Sequence, residues 1–247
     1  MRPLTNHCPK PLLNVRGQPL IAWHVRALAA AGVRDLMINT AWLGDQIEPQ
    51  LRPLAAELGC QISYSHEGLD FGQALETAGG IARALPALAE VFWVVAGDVY
   101  MPEFGFPARS LQAFSASPAQ AHLWLVPNPP HHPRGDFGLS AEGRALSRPQ
   151  DTQSRHPAGL PALGPGHAHT DTYTFSTVAL YKRRFFAELP TGNPQGIKAA
   201  LAPMLRKAMD NGRVSAELYT GPWTDVGTPE RLAELNGQAS PQPDRRP

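Results

Sequence analysis

Cysteine is scarce: Cys8 and Cys60 are the only two in 247 residues. Two thiols outside any CxxC pattern build no disulfide framework and suit a reducing cytoplasm. Charge of one sign is missing as well, since 22 Lys and Arg against 21 Asp and Glu leave a net charge of +1. No broad positive field recruits nucleic acid or an anionic membrane, so an anionic ligand must be held by local groups. Long apolar runs are also absent. The longest, Val91 to Ala96, is far too short to cross a bilayer, and the start MRPLTNHCPKPL has no signal-peptide core. What remains is 43% hydrophobic and 17% charged, enough chain to close a real core around a small, specific site.

Pro19 to Gly32 places Leu20, Ile21, His24, Val25 and Leu28 on one helical stripe, with Pro19 at a favoured first position and Gly32 as a stop. DLMIN, from Asp35 to Asn39, is β-prone, and Ile47, Leu51, Leu54 and Leu58 then recur at helical spacing up to Gly59. QISYS (61–65) predicts a strand, residues 81–88 a helix, and VFWVVA (91–96) a fully apolar strand. Alternating strand and helix imply a Rossmann-like, doubly wound α/β fold: a mostly parallel sheet covered on both faces. From His122 the segments HLWLV, DFGLS and TYTFSTVALY read as a β-rich part that caps the sheet. We expect one domain over residues 1–236, with an irregular insertion at 147–171 and a frayed tail at 237–247. The insertion's His156, His167 and His169 read as loop residues rather than metal ligands.

Ligands in such folds collect outside the carboxyl ends of the strands. Gly97 and Asp98 follow VFWVVA, which puts a hard oxygen donor there beside a glycine that permits close backbone approach. Alone, Asp98 would equally suit a turn. A second aspartate, Asp225 in WTDVGTP, follows the alternating Val214, Ala216 and Leu218, and Thr228 and Pro229 then open a helix. Two strand-end aspartates can share one magnesium ion. Lys10, between Pro9 and Pro11, presents an ammonium from a stiff extended loop and suits a phosphate partner. In LETAGGI, Thr77 stands at a helix start, and Gly79 and Gly80 would leave backbone N–H groups open to a ligand edge or phosphate. NPPHHPRGDFGL (128–139) reads as a hairpin-like turn or as a loop lying over a ligand.

In order, RPLTNHCPKPLLNVRGQPLIAWHVRAL, INTAWLGDQI, LETAGGI, VVAGDV, NPPHHPRGDF, TFS and WTDVGTPERL resemble the sugar-phosphate nucleotidyltransferases along nearly the whole chain. AWLGDQI, HHPRGDF and TFS are most similar to the N-acetylmuramate α-1-phosphate uridylyltransferases of bacterial cell-wall recycling. The resemblance implies a cytoplasmic enzyme that uses UTP, a sugar 1-phosphate and magnesium and releases pyrophosphate. Lys10 then matches a phosphate-contacting lysine, Asp98 and Asp225 the magnesium ligands, and Gly79 and Gly80 glycines near the nucleotide base. Asn39 and Glu76 lie in matching segments, and Asp136, Ser176 and Lys198 fall on the sugar-phosphate side. Family members start with a strand and a loop of the form LAAGxGxRMxPLT, whereas this sequence starts MRPLT, so the expected sheet is short of its first strand and the site short of its phosphate loop. A non-catalytic module that binds a nucleotide sugar or a protein partner is the rival reading.

Overall fold

A computed structural model describes residues 1–147 and 171–237. His156, His167 and His169 of the expected insertion, and the expected tail from residue 238 on, lie outside them.

A tight hairpin joins β1 (Asn14–Val15) to β2 (Gln18–Pro19), turning through Arg16 and Gly17 at φ of 50° and 89°. In α1 (Leu20–Ala30) the predicted stripe of Leu20, Ile21, His24, Val25 and Leu28 is buried. Pro19 sits just outside the helix rather than at its first position, and Gly32, at φ 87°, ends it. Next come β3 (Asp35–Thr40), α2 (Ile47–Leu58) and β4 (Gln61–His66). The two strands pair in parallel from Asp35–Gln61 to Thr40–His66, and Ile47, Leu51 and Leu54 of α2 bury against them and α1. After α3 (Glu67–Phe71), α4 (Glu76–Ala84) starts earlier than the predicted helix and passes into a 3₁₀ turn at Leu85–Ala87, where Pro86 ends the α-helical bonding. The rest of the order is β5 (Val91–Val94), β6 (Val99–Tyr100), α5 (Ala108–Ala116), β7 (Ala121–Val126), β8 (Phe137–Leu139), β9 (Ala145–Ser147), β10 (Thr172–Lys182), α6 (Leu201–Asp210), β11 (Val214–Leu218), β12 (Thr224–Asp225) and α7 (Pro229–Leu235).

The main sheet has the order β11-β7-β10-β8-β9, with β5 also paired to β10. β11 is parallel to β7, and both β7 and β5 run antiparallel to β10. Thus β5, β7, β8 and β11 share one direction and β9 and β10 run the other way, so that, among the described residues, β11 with β7 is the parallel ladder of this sheet. β7 and β10 are the centre of this sheet, not a cap on it, because both of their faces are apolar. Leu123, Leu125, Ala179 and Tyr181 pack with residues of α4 and α6, while Trp124, Val178 and Leu180 pack with Leu28 of α1 and Phe114 of α5. The β5 strand is less covered than its composition predicts: of its residues only Phe92 is buried. Among the described residues no ladder joins β3 or β4 to β5, while Leu36 of β3 packs against the clusters on both sides.

His24 fixes the back of the candidate site. It is 3% exposed, and its Nε2 donates to the Val99 carbonyl at 2.8 Å. Burial lowers its pKa to about 4, against the opposing pull of that carbonyl and of Asp98. The folded state therefore binds fewer protons than the unfolded chain between about pH 6.5 and 4. The stability contributed by neutral His24 is present above that window and is lost as pH falls through it. We expect urea-unfolding stability to fall by on the order of 3 kcal/mol more between pH 7 and pH 4 in the parent than in His24→Gln, which keeps a donor but does not titrate. Equal pH slopes in the two proteins would contradict this account.

Candidate active site

Asp98 occupies the turn between β5 and β6, at the carboxyl end of a sheet strand as predicted. Asp225 arrives differently. It does not end β11, which stops at Leu218; it lies on β12, a separate strand that runs antiparallel to β6 with Asp225 opposite Val99. The Val226 N–H then donates to the Asp98 carbonyl at 3.0 Å. This short ladder puts the two aspartates on adjoining chain segments. Their side chains keep 42% and 35% of their surface exposed, so carboxylate oxygens remain within reach of a ligand.

Each carboxylate faces a cation. Lys10 Nζ lies 2.6 Å from Asp98 Oδ2. Lys10 opens a 3₁₀ turn, Lys10–Leu12, rather than an extended segment, because the Leu12 N–H bonds to the Pro9 carbonyl and the Leu13 N–H to that of Lys10. Gly97 lets this loop pack close: a Cβ there would stand 3.2 Å from Pro11 Cγ. Arg231 Nη1 pairs with Asp225 Oδ1, and His131 Nε2 sits 2.9 Å from the same oxygen and 2.8 Å from Arg231 Nη1.

His131 belongs to the loop between β7 and β8. That loop is not a hairpin, since β7 and β8 pair with β10 and not with each other. It is laced to the start of β10. Asn128 Nδ2 donates to the Thr172 carbonyl (2.9 Å), Thr174 Oγ1 to Asn128 Oδ1 (3.0 Å) and Thr172 Oγ1 to the Arg134 carbonyl (2.9 Å). Asp136 serves the same seam: its Oδ2 accepts the Phe175 N–H at 2.8 Å and its Oδ1 lies 3.2 Å from His132 Nε2. Ser176 is fully buried in the irregular part of β10, its Oγ accepting the Val178 N–H and its carbonyl accepting Trp223 Nε1. Asp136 and Ser176 thus brace β10, which in turn positions the segment carrying Asp225.

The remaining predicted residues gather at the start of α4. Glu76, exposed at φ 59°, is the first residue of that helix, and Thr77 follows inside it without capping it. The N–H groups of Ala78 and Gly79 are not open, because both donate to the Ala199 carbonyl (3.0 and 3.2 Å). The segment around the exposed Lys198 packs directly on this helix start. A Cβ on Gly79 would come 2.4 Å from the Ile197 carbonyl oxygen, and one on Gly80 2.4 Å from Glu67 Oε1 and 2.7 Å from Asn39 Nδ2. Both glycines are therefore demanded by packing. Glu67 is 5% exposed, accepts the Leu75 N–H at 2.7 Å, and has its pKa pushed up by burial.

The family model described as nucleotidyl transferase matches residues 1–241. The chain is a nucleotidyl transferase. It is 44% identical over 242 residues to the N-acetylmuramate alpha-1-phosphate uridylyltransferase of Neisseria meningitidis serogroup B, covering 97% of this chain and 93% of that protein. To the protein of the same name from Caulobacter vibrioides it is 30% identical over 247 residues, with 97% and 90% covered. The fold is shared with HddC from Yersinia pseudotuberculosis, solved in complex with GMP-PN, at a TM-score of 0.68 and 14% identity, covering 96% of this chain and 92% of that one.

In this nucleotidyl transferase Glu67 and Arg231 escape sequence reasoning, while His131 lies in the 128–139 loop that the sequence singles out without showing what it meets. Arg231 lies in an ordinary amphipathic helix, where a solvated arginine is the default, and only the fold brings it to His131. The packing of α4 is testable. Gly79→Ala should lower unfolding stability by about 1–3 kcal/mol, measured by urea denaturation; unchanged stability would mean that the 197–199 segment does not press on this helix.

Proposed function

We propose that the protein transfers the uridylyl group of UTP to N-acetylmuramate α-1-phosphate, giving the UDP-sugar and pyrophosphate. The supporting observation is the pairing of β6 with β12, which sets Asp98 beside Asp225 with a cation at each. The chain's likeness to uridylyltransferases over nearly its full length supports the choice of base and sugar. A phosphate oxygen of the sugar 1-phosphate attacks the α-phosphorus of UTP in line. A new phosphorus–oxygen bond forms, the bond to the bridging oxygen of the β-phosphate breaks, and its electrons leave with pyrophosphate.

Both substrates are anions, so the protein's task is to hold them together and offset their charge. Asp98 and Asp225 are the residues that would hold magnesium. Among the described residues no group of three or more His, Cys, Asp or Glu is placed for a metal, and two exposed carboxylates fit an ion that keeps water and phosphate oxygens as its other ligands. When bound, magnesium supplies positive charge at the phosphates being joined and separated. Lys10 stands beside Asp98 and moves its ammonium onto a phosphate oxygen as the triphosphate enters. Asn39, Glu76, Gly79 and Gly80 at the start of α4 border the nucleotide, Lys198 belongs to the sugar-phosphate side, and Asp136 and Ser176 shape that side through β10. No helix among the described residues is long and apolar enough to cross a membrane, and we place the enzyme in the cytoplasm, in peptidoglycan recycling.

Incubation with UTP, N-acetylmuramate α-1-phosphate and magnesium should release pyrophosphate, faster than with other nucleoside triphosphates or sugar 1-phosphates. Asp98→Asn and Asp225→Asn should each lower turnover by roughly 100-fold or more, the loss of a group that stabilises charge in the transition state. Pyrophosphate release near the parent rate in either variant would remove that aspartate from the reaction.

A further inference from the structure

We propose that Arg231 and His131 form the seat for the phosphate of the sugar 1-phosphate, separate from the Lys10 position that serves the triphosphate. This rests on the transfer reaction proposed above and assigns its second substrate. The two cations stand on different carboxylates: Lys10 on Asp98, Arg231 with His131 on Asp225. In-line displacement places the attacking and leaving oxygens on opposite sides of the α-phosphorus, so two phosphate seats are required. Their chemistry also differs. A sugar 1-phosphate is a monoester with three terminal oxygens, which suits a planar guanidinium fork, whereas the α-phosphate of a triphosphate offers two, which suits the compact ammonium of Lys10.

The position of Arg231 is built, not incidental. Its backbone N–H is capped by Thr228 Oγ1 at 3.3 Å. A Cβ at residue 227 would fall 2.5 Å from Arg231 Nη2, so the glycine of DVGT makes room for the side chain to fold back over Asp225. The far end of α7 is pinned independently. Asn236 Oδ1 accepts the Arg16 N–H (2.7 Å), Asn236 Nδ2 donates to the Asn14 carbonyl (3.0 Å) and Arg16 Nε donates to the Leu235 carbonyl (3.2 Å). An ion pair meant only to dock α7 would be redundant with those bonds and would need no histidine. His131 comes from a loop fastened to β10 by Asn128 and Thr172, so both side chains are anchored before a ligand arrives. The incoming phosphate replaces Asp225 as the partner of the guanidinium and frees that carboxylate.

The test uses the whole protein with Arg231→Gln, Arg231→Lys and His131→Gln, the last on a half-exposed loop residue whose loss leaves the fold intact by circular dichroism. Calorimetry with inorganic phosphate and with N-acetylmuramate α-1-phosphate reads the seat directly, and steady-state kinetics reads each substrate in turn. Arg231→Gln should weaken phosphate binding and raise KM for the sugar 1-phosphate roughly tenfold to a hundredfold, with KM for UTP within about twofold. His131→Gln should give a smaller change in the same direction, and Arg231→Lys should recover only part of the loss. Phosphate affinity equal to the parent's in both Gln variants, or a rise in KM for UTP in place of the sugar 1-phosphate, overturns the assignment. Failure of the reaction itself looks different: the parent would release no pyrophosphate from any substrate pair while its phosphate affinity still depended on Arg231, which supports the seat and rejects the reaction.

Discussion

The site depends on one two-residue ladder. β12 lies antiparallel to β6, and the Val226 N–H reaches the Asp98 carbonyl, so residues far apart in sequence become neighbours in a two-stranded sheet of their own. So short a ladder cannot hold by its own hydrogen bonds. It is held from both sides: His24 of α1 binds the Val99 carbonyl from behind, Trp223 Nε1 is tied to the Ser176 carbonyl, and Val99 and Val226 are buried. The apolar core thus fixes the backbone while the two carboxylates stay partly exposed.

Each of the two carboxylates has positive charge standing beside it. Lys10 and Arg231 provide it, one from the N-terminal loop and one from the C-terminal helix. Because both pairs are partly exposed, their contribution to stability is small. They hold Lys10 over the end of β5 and Arg231 over β12. The glycines do related work: Gly97 lets the Lys10 loop close on the strand end, and Gly227 lets Arg231 fold back.

Much of this is legible in the sequence. The stripe of α1, the parallel β3–α2–β4 unit and the strand-end position of Asp98 follow from periodicity and turn residues, whereas Asp225 lies on β12, beyond the end of β11. Strand partners do not follow. HLWLV and TYTFSTVALY look like a peripheral β-rich part because they come late, yet their two apolar faces make them the middle of the sheet. The glycines of LETAGGI signal a close approach, but sequence cannot say to what: the neighbour is the 197–199 backbone and Glu67. The segments HHPRGDF and WTDVGTPERL stand out in the sequence, but that His131 and Arg231 meet follows only from tertiary structure.

The central claim is that Asp98 and Asp225 hold one divalent cation between them. Manganese binding followed by electron paramagnetic resonance tests this most directly, in the parent and in each single Asp→Asn variant, without need of turnover. The account predicts one high-affinity ion per chain, weakened about tenfold or more by either substitution. An affinity untouched by one of the two substitutions, or two ions each sensitive to a different aspartate, would contradict it.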